Sequence, residues 1–276
     1  MHVTSIWRYP VKTMIGATVP SAHLDPIGIR GDREWAIRDL TTGAIANTRT
    51  LGVLMQFAAA PAGDGVVVTL PDGRTVHSAD ADADAALSDA AGRSVSLVPR
   101  PPAEEVGFYR RLPSTAADPM AELREIFARE DDEPLPDFTK FPPSVVEYET
   151  PPGALYDCYP LLVMTTSALR SMQEAVPASV IDVRRFRPSL VVDTGDEPGH
   201  PEFGWTGRRF TVGGAVIEVI NDCPRCAAIT KQIAPDVPQD RAILRHVVKD
   251  LGQAVGAYAA VVQPGPVHEG DEFRPL

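Results

Sequence analysis

The stretch RFTVGGAVIEVINDCPRC, residues 209–226, gives the clearest indication of the fold. Its two halves are rich in β-branched residues and meet at Gly213 and Gly214, a combination typical of a β-hairpin. The second strand runs directly towards Cys223 and Cys226. The segment therefore predicts a β-rich structure with two cysteines where a strand ends.

Further regular structure is predicted around this hairpin. The stretch YPLLVMTTSALRSMQEAV, residues 159–176, begins as an apolar strand and continues as a helix. Thr165, Thr166 and Ser167 form the first turn of that helix, and their hydroxyls are suited to capping free backbone N–H groups. The apolar spacing of PQDRAILRHVVKDLG, residues 238–252, predicts an amphipathic helix.

The first hundred residues have the pattern of short strands separated by turns. Strands are predicted where β-branched and aromatic residues concentrate, in VTSIWRY, ATVPSAHL, EWAIRD and GVVVTL. Beyond them, prolines and acidic residues crowd around one helical stretch, DPMAELREIFARE. We therefore predict a mostly β protein with helices, of the α+β class, in three parts: a β-rich domain over 1–100, a connecting region over 101–150, and a second β-rich domain over 151–276.

Composition limits the partners of the chain. Lys and Arg number 26 against 37 Asp and Glu, and the net charge of -11 argues against a broad nucleic-acid interface. No run of about 18 apolar residues predicts a membrane span, and the start MHVTSIWRYPVKT has no secretion signal. Three cysteines do not make a disulfide framework and suit a reducing compartment. We therefore expect a cytoplasmic protein that binds neither nucleic acid nor membranes.

Basic residues nevertheless cluster in two places. Lys12 and Arg33 belong to a cluster near the start, and Arg184, Arg185 and Arg187 form a second one. Such clusters are either solvated surface charges or the walls of a local anion pocket. Any anion that the chain binds is therefore expected in a pocket rather than along a surface.

The two cysteines after the predicted strand allow several kinds of chemistry. A C-x-x-C pair is half of a tetrahedral zinc site, but no second pair of ligands has suitable spacing. A redox pair should open a helix, whereas the following AAITKQIAPD favours extended structure. A third possibility is one functional thiolate at Cys226, whose neighbour Arg225 can lower the pKa of the thiol. A buried packing role is the simplest alternative for a free cysteine.

Six motifs carry a family resemblance by their order and spacing. They are YPVKTMIG (9–16), GDREWAIRD (31–39), LLVMTTSAL (161–169), RFRPSLVV (185–192), CPRC (223–226) and PGPVHEGDEF (264–273). Together they resemble the MOSC superfamily, which is named after the C-terminal domain of molybdenum cofactor sulfurases. The chain is similar to members with an N-terminal MOSC β-barrel domain followed by a MOSC β-barrel domain, such as the mitochondrial amidoxime reducing component and its bacterial relatives.

The resemblance implies a site for the molybdenum cofactor, in which molybdopterin holds the metal through two sulfurs. Cys226 matches the family's molybdenum ligand, and a soft thiolate suits this metal. Cys223 is expected either to pack in the interior or to support the site from behind Cys226, and Cys158 is expected to lie in the core. Further positions would hold the pterin and its phosphate by charge and hydrogen bonds: Lys12, Thr13, Arg33, Thr165, Thr166, Ser167, Arg187, Ser189 and Arg225.

Two departures from the family pattern bear on activity. Ser189 stands where asparagine is common, and AAITKQIAPD follows the ligand cysteine in place of the segment found in many reductases. Both changes leave the cysteine and the main cationic positions in place. The resemblance therefore implies cofactor binding more directly than it implies a particular substrate.

The function implied is that of a molybdenum-cofactor-dependent oxidoreductase. It would reduce small N-hydroxylated (N–O) substrates, such as amidoximes or hydroxylamines, at a metal held by Cys226. The sequence has no iron–sulfur or dinucleotide-binding motif, so a separate electron donor is implied, either a ferredoxin or a flavin reductase. Two alternatives stay open: a sulfur carrier or cofactor-handling protein with a persulfide on Cys226, and a MOSC scaffold recruited to a specialised reaction.

Overall fold

The computed structural model describes residues 1–114 and 116–276, and most of its regular structure is β-strand. The predicted α+β class, mostly β with helices, is confirmed. Within the described ranges, no helix has the length and apolar character needed to cross a membrane. The strands, in chain order, are β1 (His2–Arg8), β2 (Ala17–Val19), β3 (Ser21–Asp25), β4 (Gly28–Ile29), β5 (Trp35–Asp39), β6 (Ala58–Ala62), β7 (Gly65–Thr69), β8 (Thr75–His77), β9 (Val95–Pro99), β10 (Leu161–Thr165), β11 (Leu190–Asp193), β12 (Arg209–Val212), β13 (Ala215–Pro224), β14 (Ala254–Gln263), β15 (Gly265–His268) and β16 (Phe273–Pro275).

The helices are short and lie between strands along the chain. The α-helices are α1 (Ala83–Ala91), α2 (Val106–Tyr109), α3 (Pro119–Phe127), α4 (Ser144–Glu147), α5 (Thr166–Ala175) and α6 (Ala242–Asp250). Five 3-10 turns accompany them in the described residues, at Gly52–Gln56, Phe138–Lys140, Val183–Arg185, Pro201–Trp205 and Ala227–Thr230.

The hairpin of β12 and β13 lies in an eight-stranded sheet with the order β16-β12-β13-β14-β10-β11-β1-β2. Val212 pairs with Ala215 across the turn, as the two glycines between them predict. β13 is ten residues long and pairs with β14 over most of its length. Its far end carries Cys223 to the border of the sheet, and Cys226 follows directly after the strand.

The first four strands belong to the C-terminal sheets. β1 pairs with β11, with Ser5 opposite Val191, and β2 pairs with β1. β3 pairs with β15 and with β4 in a separate three-stranded sheet. Residues 2–29 therefore share sheets with strands from the last third of the chain. Between β1 and β2, residues 9–16 leave these sheets and return, and we call this segment the excursion.

Two of the hydrophobic cores are built mainly from strands, one from the sheets that β1 to β4 share with the C-terminal strands and one from β5 to β9. The larger core surrounds fully buried side chains such as Val163 and Ile217. The second core is built from β5 to β9 and α1, around residues such as Phe57. Val11 and Met14 of the excursion are buried members of this second core. The excursion is thus anchored in one core while β1 is anchored in the other.

The connecting region contains more regular structure than the single helix that the sequence predicts. α3 lies at the predicted position, and the Asp118 carboxylate caps it by accepting the N–H groups of Met120 and Ala121. α2 and α4 were not predicted. Each is four residues long, which is too short for apolar periodicity to reveal.

Gly256 lies where β14 passes so close to β10 that a side chain does not fit. Its φ is +73°, and a Cβ atom there would lie 2.9 Å from the Val163 carbonyl oxygen and 2.9 Å from the Met164 side chain. We expect Gly256→Ala to lower the free energy of unfolding by about 3 kcal/mol, because backbone strain and overpacking act together. Urea unfolding of the wild type and the variant measures this difference.

Gly63 provides the matched control for this substitution. Its φ is +60°, but a Cβ atom there would meet no described atom within 4 Å. Gly63→Ala is therefore expected to cost only about 1 kcal/mol, from backbone strain alone. Equal losses of stability in the two variants would show that the close approach of β14 to β10 is unimportant.

Candidate functional site

Segments from both ends of the chain enclose a cavity of about 140 Å³ beside the end of β13. Its wall combines the excursion, the residues before β10, the turn before β11 and the residues after β13. Seven of the ten side chains predicted to bind metal or cofactor line this cavity: Lys12, Thr13, Arg33, Arg187, Ser189, Arg225 and Cys226. The fold thus brings most of the predicted site together.

Three of these residues have left-handed backbone conformations, which residues other than glycine rarely adopt. The φ angles are 74° at Thr13, 49° at Arg33 and 56° at Arg187. For a β-branched residue such as Thr13 this conformation is a clear outlier, with a cost of about 1–3 kcal/mol. Such strain persists only where the surrounding structure enforces it, and it is concentrated at functional sites.

The ring of Tyr9 holds two guanidinium groups in place. The guanidinium carbon of Arg187 lies 4.3 Å from the ring centroid, and that of Arg33 lies 5.2 Å from it. The Tyr9 hydroxyl donates to the Pro188 carbonyl at 3.0 Å. The buried Asp32 carboxylate accepts the Tyr9 N–H at 2.6 Å and forms an ion pair with Arg33. Tyr9 and Asp32 therefore position both arginines at the cavity wall.

A buried ammonium group and a carboxylate occupy the same wall. Lys12 is only 4% exposed, and its Nζ donates to the Leu155 carbonyl at 3.2 Å and to the Asp157 carboxylate. The Asp157 side chain lies at the open mouth of the cavity. Arg33 and Arg187 also stabilise its charge. Three cations therefore surround Asp157, and one of them, Arg33, also pairs with Asp32.

The crowding of cations affects the ionisation of Arg187. Burial, and after it the charge of Arg33, lowers the pKa of Arg187 to about 10. The Arg187 guanidinium also donates to the carbonyls of Thr13, at 3.2 Å, and Met14. A bound anion would offset the repulsion between the two arginines and favour the charged form. The electrostatics of the cavity therefore favour an anionic ligand.

Cys226 lies at the end of this wall, and its side chain is partly buried. Burial raises the pKa of the thiol, whereas the Ala228 N–H and the charges of Arg225 and Arg129 act in the opposite direction. Arg225 therefore favours the thiolate, as predicted, but burial has the larger effect. The free thiol is consequently protonated at neutral pH.

Arg225 and Ser189 line the cavity and also use their polar atoms to hold the backbone. The Arg225 guanidinium donates to the Val255 carbonyl at 2.8 Å and to the Phe186 carbonyl at 3.0 Å. The Ser189 hydroxyl accepts the Leu162 N–H at 3.2 Å. These contacts fix the ends of β10, β11, β13 and β14 beside the cavity. Direct contacts of the two side chains with a cofactor stay a prediction.

The structure does not bring Thr165, Thr166 and Ser167 into the cavity wall. Thr165 caps α5 by accepting the Ala168 N–H at 3.1 Å, and its hydroxyl donates to the buried Glu202 carboxylate at 2.7 Å. The other two hydroxyls contact side chains at the end of β11. The cavity lies at the start of β10 and α5 begins at its end, which is about 13 Å away for a five-residue strand. The capping prediction is confirmed, but the placement at the cofactor site is not.

The cavity residues fit the molybdenum cofactor in their chemistry. Cys226 offers one soft ligand. Lys12, Arg33 and Arg187 offer the charged donors that a phosphate and an anionic metal centre require. In residues 1–114 and 116–276, no group of three or more His, Cys, Asp or Glu side chains is arranged to hold a metal ion, either at this cavity or elsewhere.

Two family models match the chain. The model of the MOSC N-terminal beta barrel domain matches residues 1–104, and the model of the MOSC domain matches residues 151–274. The chain belongs to the MOSC-domain family. The resemblance carried by the six sequence motifs is thereby confirmed at the level of the family.

Several solved structures are similar to this MOSC protein at low sequence identity. YuaD from Bacillus subtilis is 12% identical, over 99% of this chain and 94% of that chain, with a TM-score of 0.44. YiiM from Geobacillus stearothermophilus and YiiM from Escherichia coli are each 18% identical, over 43% of this chain and 54% of theirs, with TM-scores of 0.32 and 0.33. The chain thus spans about half the length of the YiiM structures. None of the curated proteins compared with the chain matches it.

The MOSC cavity also contains residues that the sequence motifs do not reveal. Asp157 and Tyr258 line it, and so does Cys158, which was expected in the core and is partly exposed here. All three cysteines of the chain therefore line one cavity. Arg129 of the connecting region donates to the Arg225 carbonyl at 3.1 Å. The position of Asp157 and Cys158 just before an apolar strand is a signal that could have identified them. No local pattern marks Tyr258 or Arg129.

The second basic cluster of this MOSC protein has three different roles. Arg187 faces the cavity, and Arg184 forms an ion pair with Asp182 at 2.6 Å. Arg185 is 1% exposed and holds the backbone segment that follows Cys226. This segment was predicted to be extended, but it begins with a 3-10 turn. The Arg185 guanidinium donates to the carbonyls of Val180, Ile229, Lys231 and Pro238.

Loss of the Arg185 guanidinium is expected to be strongly destabilising. Arg185→Met would leave several buried carbonyls without donors, so the free energy of unfolding should fall by about 3 kcal/mol or more. Arg184→Met removes only a local ion pair and should cost less than about 1 kcal/mol. Urea unfolding of both variants tests the contrast, and similar small losses would contradict a structural role for Arg185.

Proposed function

We propose that this MOSC protein binds the molybdenum cofactor through Cys226 and reduces small N-hydroxylated compounds. The observation that supports this most directly is the meeting of a single thiol with Lys12, Arg33 and Arg187 in one cavity. Membership of a family named after the C-terminal domain of molybdenum cofactor sulfurases favours the same cofactor.

The three cations would hold the anionic parts of the cofactor. Arg33 and Arg187 both contact the Tyr9 ring, and both have left-handed backbone conformations. These features fix the two side chains at the cavity before any ligand binds. Lys12 is already desolvated, so its charge is effective at short range. Residues fixed in this way lose little conformational entropy on binding, which favours affinity.

Cys226 would bind the metal as a thiolate, losing its proton on ligation. Its burial disfavours the free thiolate, so the metal centre and the neighbouring Arg225 and Arg129 must stabilise the anion. The cations that line the cavity beside Cys226 suit an anionic cofactor, which a persulfide carrier does not require.

When bound, the cofactor would supply the two-electron chemistry that cleaves the N–O bond. The protein would orient the substrate and exclude water from the reacting group. Tyr156, Asp157 and Tyr258 offer aromatic surface and polar atoms for this purpose along the cavity wall. The electrons would come from a separate donor protein, a ferredoxin or a flavin reductase.

Metal analysis of protein produced in a host that makes molybdopterin tests the cofactor. Near-stoichiometric molybdenum is expected in the wild type, and Cys226→Ser should lose most of it because the hydroxyl is a poor soft-metal ligand. Cys223→Ser is the matched control, since Cys223 is buried beside the site and should leave the molybdenum content unchanged.

The two parts of this proposal, cofactor binding and reductase activity, are contradicted by different results. A folded wild type without molybdenum, or equal molybdenum in the two variants, contradicts cofactor binding through Cys226. Molybdenum-loaded wild type that does not reduce benzamidoxime with an artificial electron donor contradicts the reductase activity. Sulfane sulfur on Cys226 in place of molybdenum would support the carrier function instead.

A further inference from the structure

Tyr258 is the aromatic residue that the sheet itself places in the cavity wall. It lies in β14, opposite Leu162 of β10 and Asn221 of β13, so its backbone is paired on both sides. Its ring packs against Tyr159 with 5.2 Å between centroids. Side chains on central strands are held more precisely than those on loops. Tyr258 is therefore the most rigidly mounted hydroxyl of the cavity.

The surroundings of the Tyr258 hydroxyl leave its proton available to a ligand. The hydroxyl faces the thiols of Cys158 and Cys223, which are weak hydrogen-bond acceptors. Burial raises the pKa of Tyr258 well above its ordinary value, so the phenol keeps its proton at physiological pH. A neutral hydroxyl with weak partners, at the wall of a cavity, is a donor that a ligand oxygen can engage.

Several other polar groups of the cavity have firmer partners. Lys12 pairs with Asp157, and Arg187 donates to backbone carbonyls. Tyr159 also lines the cavity, but its hydroxyl is directed to the Lys140 carbonyl at 3.4 Å. Cys223 is 3% exposed. Among these groups Tyr258 combines rigid placement with a donor whose partners are thiols, which accept hydrogen bonds only weakly.

We propose that the Tyr258 hydroxyl hydrogen-bonds the N–O oxygen of the substrate and donates a proton to it during reduction. This inference rests on the proposed function. The overall reaction is R–NH–OH + 2 e⁻ + 2 H⁺ → R–NH₂ + H₂O, in which the N–O bond breaks, nitrogen is reduced and the oxygen leaves as water. The electrons come from the electron donor, one proton comes from Tyr258, and the other comes from solvent, which also reprotonates the phenolate.

Proton donation by Tyr258 has a physical advantage over donation by water. An oxygen leaving an N–O bond becomes strongly basic, and a positioned phenol can transfer its proton as the charge develops. A donor fixed in the sheet also selects substrates that carry a hydroxyl on nitrogen over those that lack it.

The test compares Tyr258→Phe with Tyr159→Phe, both in molybdenum-loaded protein. The first change keeps the ring and its packing but removes the proposed donor, and the second removes a hydroxyl from the adjacent ring. Direct binding to oxidised protein, without an electron donor, is measured for benzamidoxime and for benzamidine, which lacks the hydroxyl. Turnover of benzamidoxime with an artificial electron donor is then measured on the same preparations.

We expect Tyr258→Phe to keep its molybdenum and to bind benzamidoxime about three- to tenfold more weakly, the worth of one hydrogen bond. Its affinity for benzamidine should be unchanged. Its kcat should fall by about 100-fold, in the range of a lost general acid. Tyr159→Phe should match the wild type in all three measurements.

Three outcomes would overturn the inference, and they differ from failure of the proposed function. Wild-type turnover together with unchanged benzamidoxime affinity in Tyr258→Phe refutes the inference. Equal weakening of benzamidoxime and benzamidine indicates a structural role only, as does an equal effect of Tyr159→Phe. A wild type without molybdenum or without turnover refutes the proposed function, and the inference falls with it. The metal analysis of the wild type and the wild-type turnover distinguish this failure from failure of the inference alone.

Discussion

Pairing between β1 and β11 is the constraint on which the cavity depends. Ser5 lies opposite Val191 in this antiparallel pair, so hydrogen bonds join segments that most of the chain separates. Closing so long a loop costs conformational entropy, which is offset by the buried core that both strands share. With β1 fixed there, residues 9–14 must pass the turn before β11. Lys12 and Arg187 meet in one cavity for that reason.

Much of the secondary structure follows from local chemistry. The hairpin across residues 213–214, the helix end at Gly92 and the helix start at Thr165 each depend on the preferences of a few adjacent residues. The sharing of sheets between the first and last strands has no such local cause. Strand partners are chosen by burial over the whole chain, which propensity does not encode. The single-turn helices α2 and α4 have too few residues for any period to appear.

The candidate site is predictable where residue type and motif agree. Lys12, Arg187 and Cys226 were selected by the resemblance, and all three line the cavity. Thr165 matched the same pattern, yet it caps a helix at the opposite end of β10. Asp157 carries no motif, and only the folded chain shows that it faces three cations. Position within a strand, rather than residue type, decides these cases.

The place of residues 2–29 in the C-terminal sheets also sets the order of events during synthesis. β1 leaves the ribosome before β11 exists, and at about 5–20 residues per second the interval is roughly 10–40 s. The core around β5 to β9 has its partners close in sequence and can form within that time. β1 and β3 meanwhile have unpaired edges, which other chains can pair with. Until β11 and β15 have emerged, the nascent chain therefore exposes strand edges of the kind that chaperones shield.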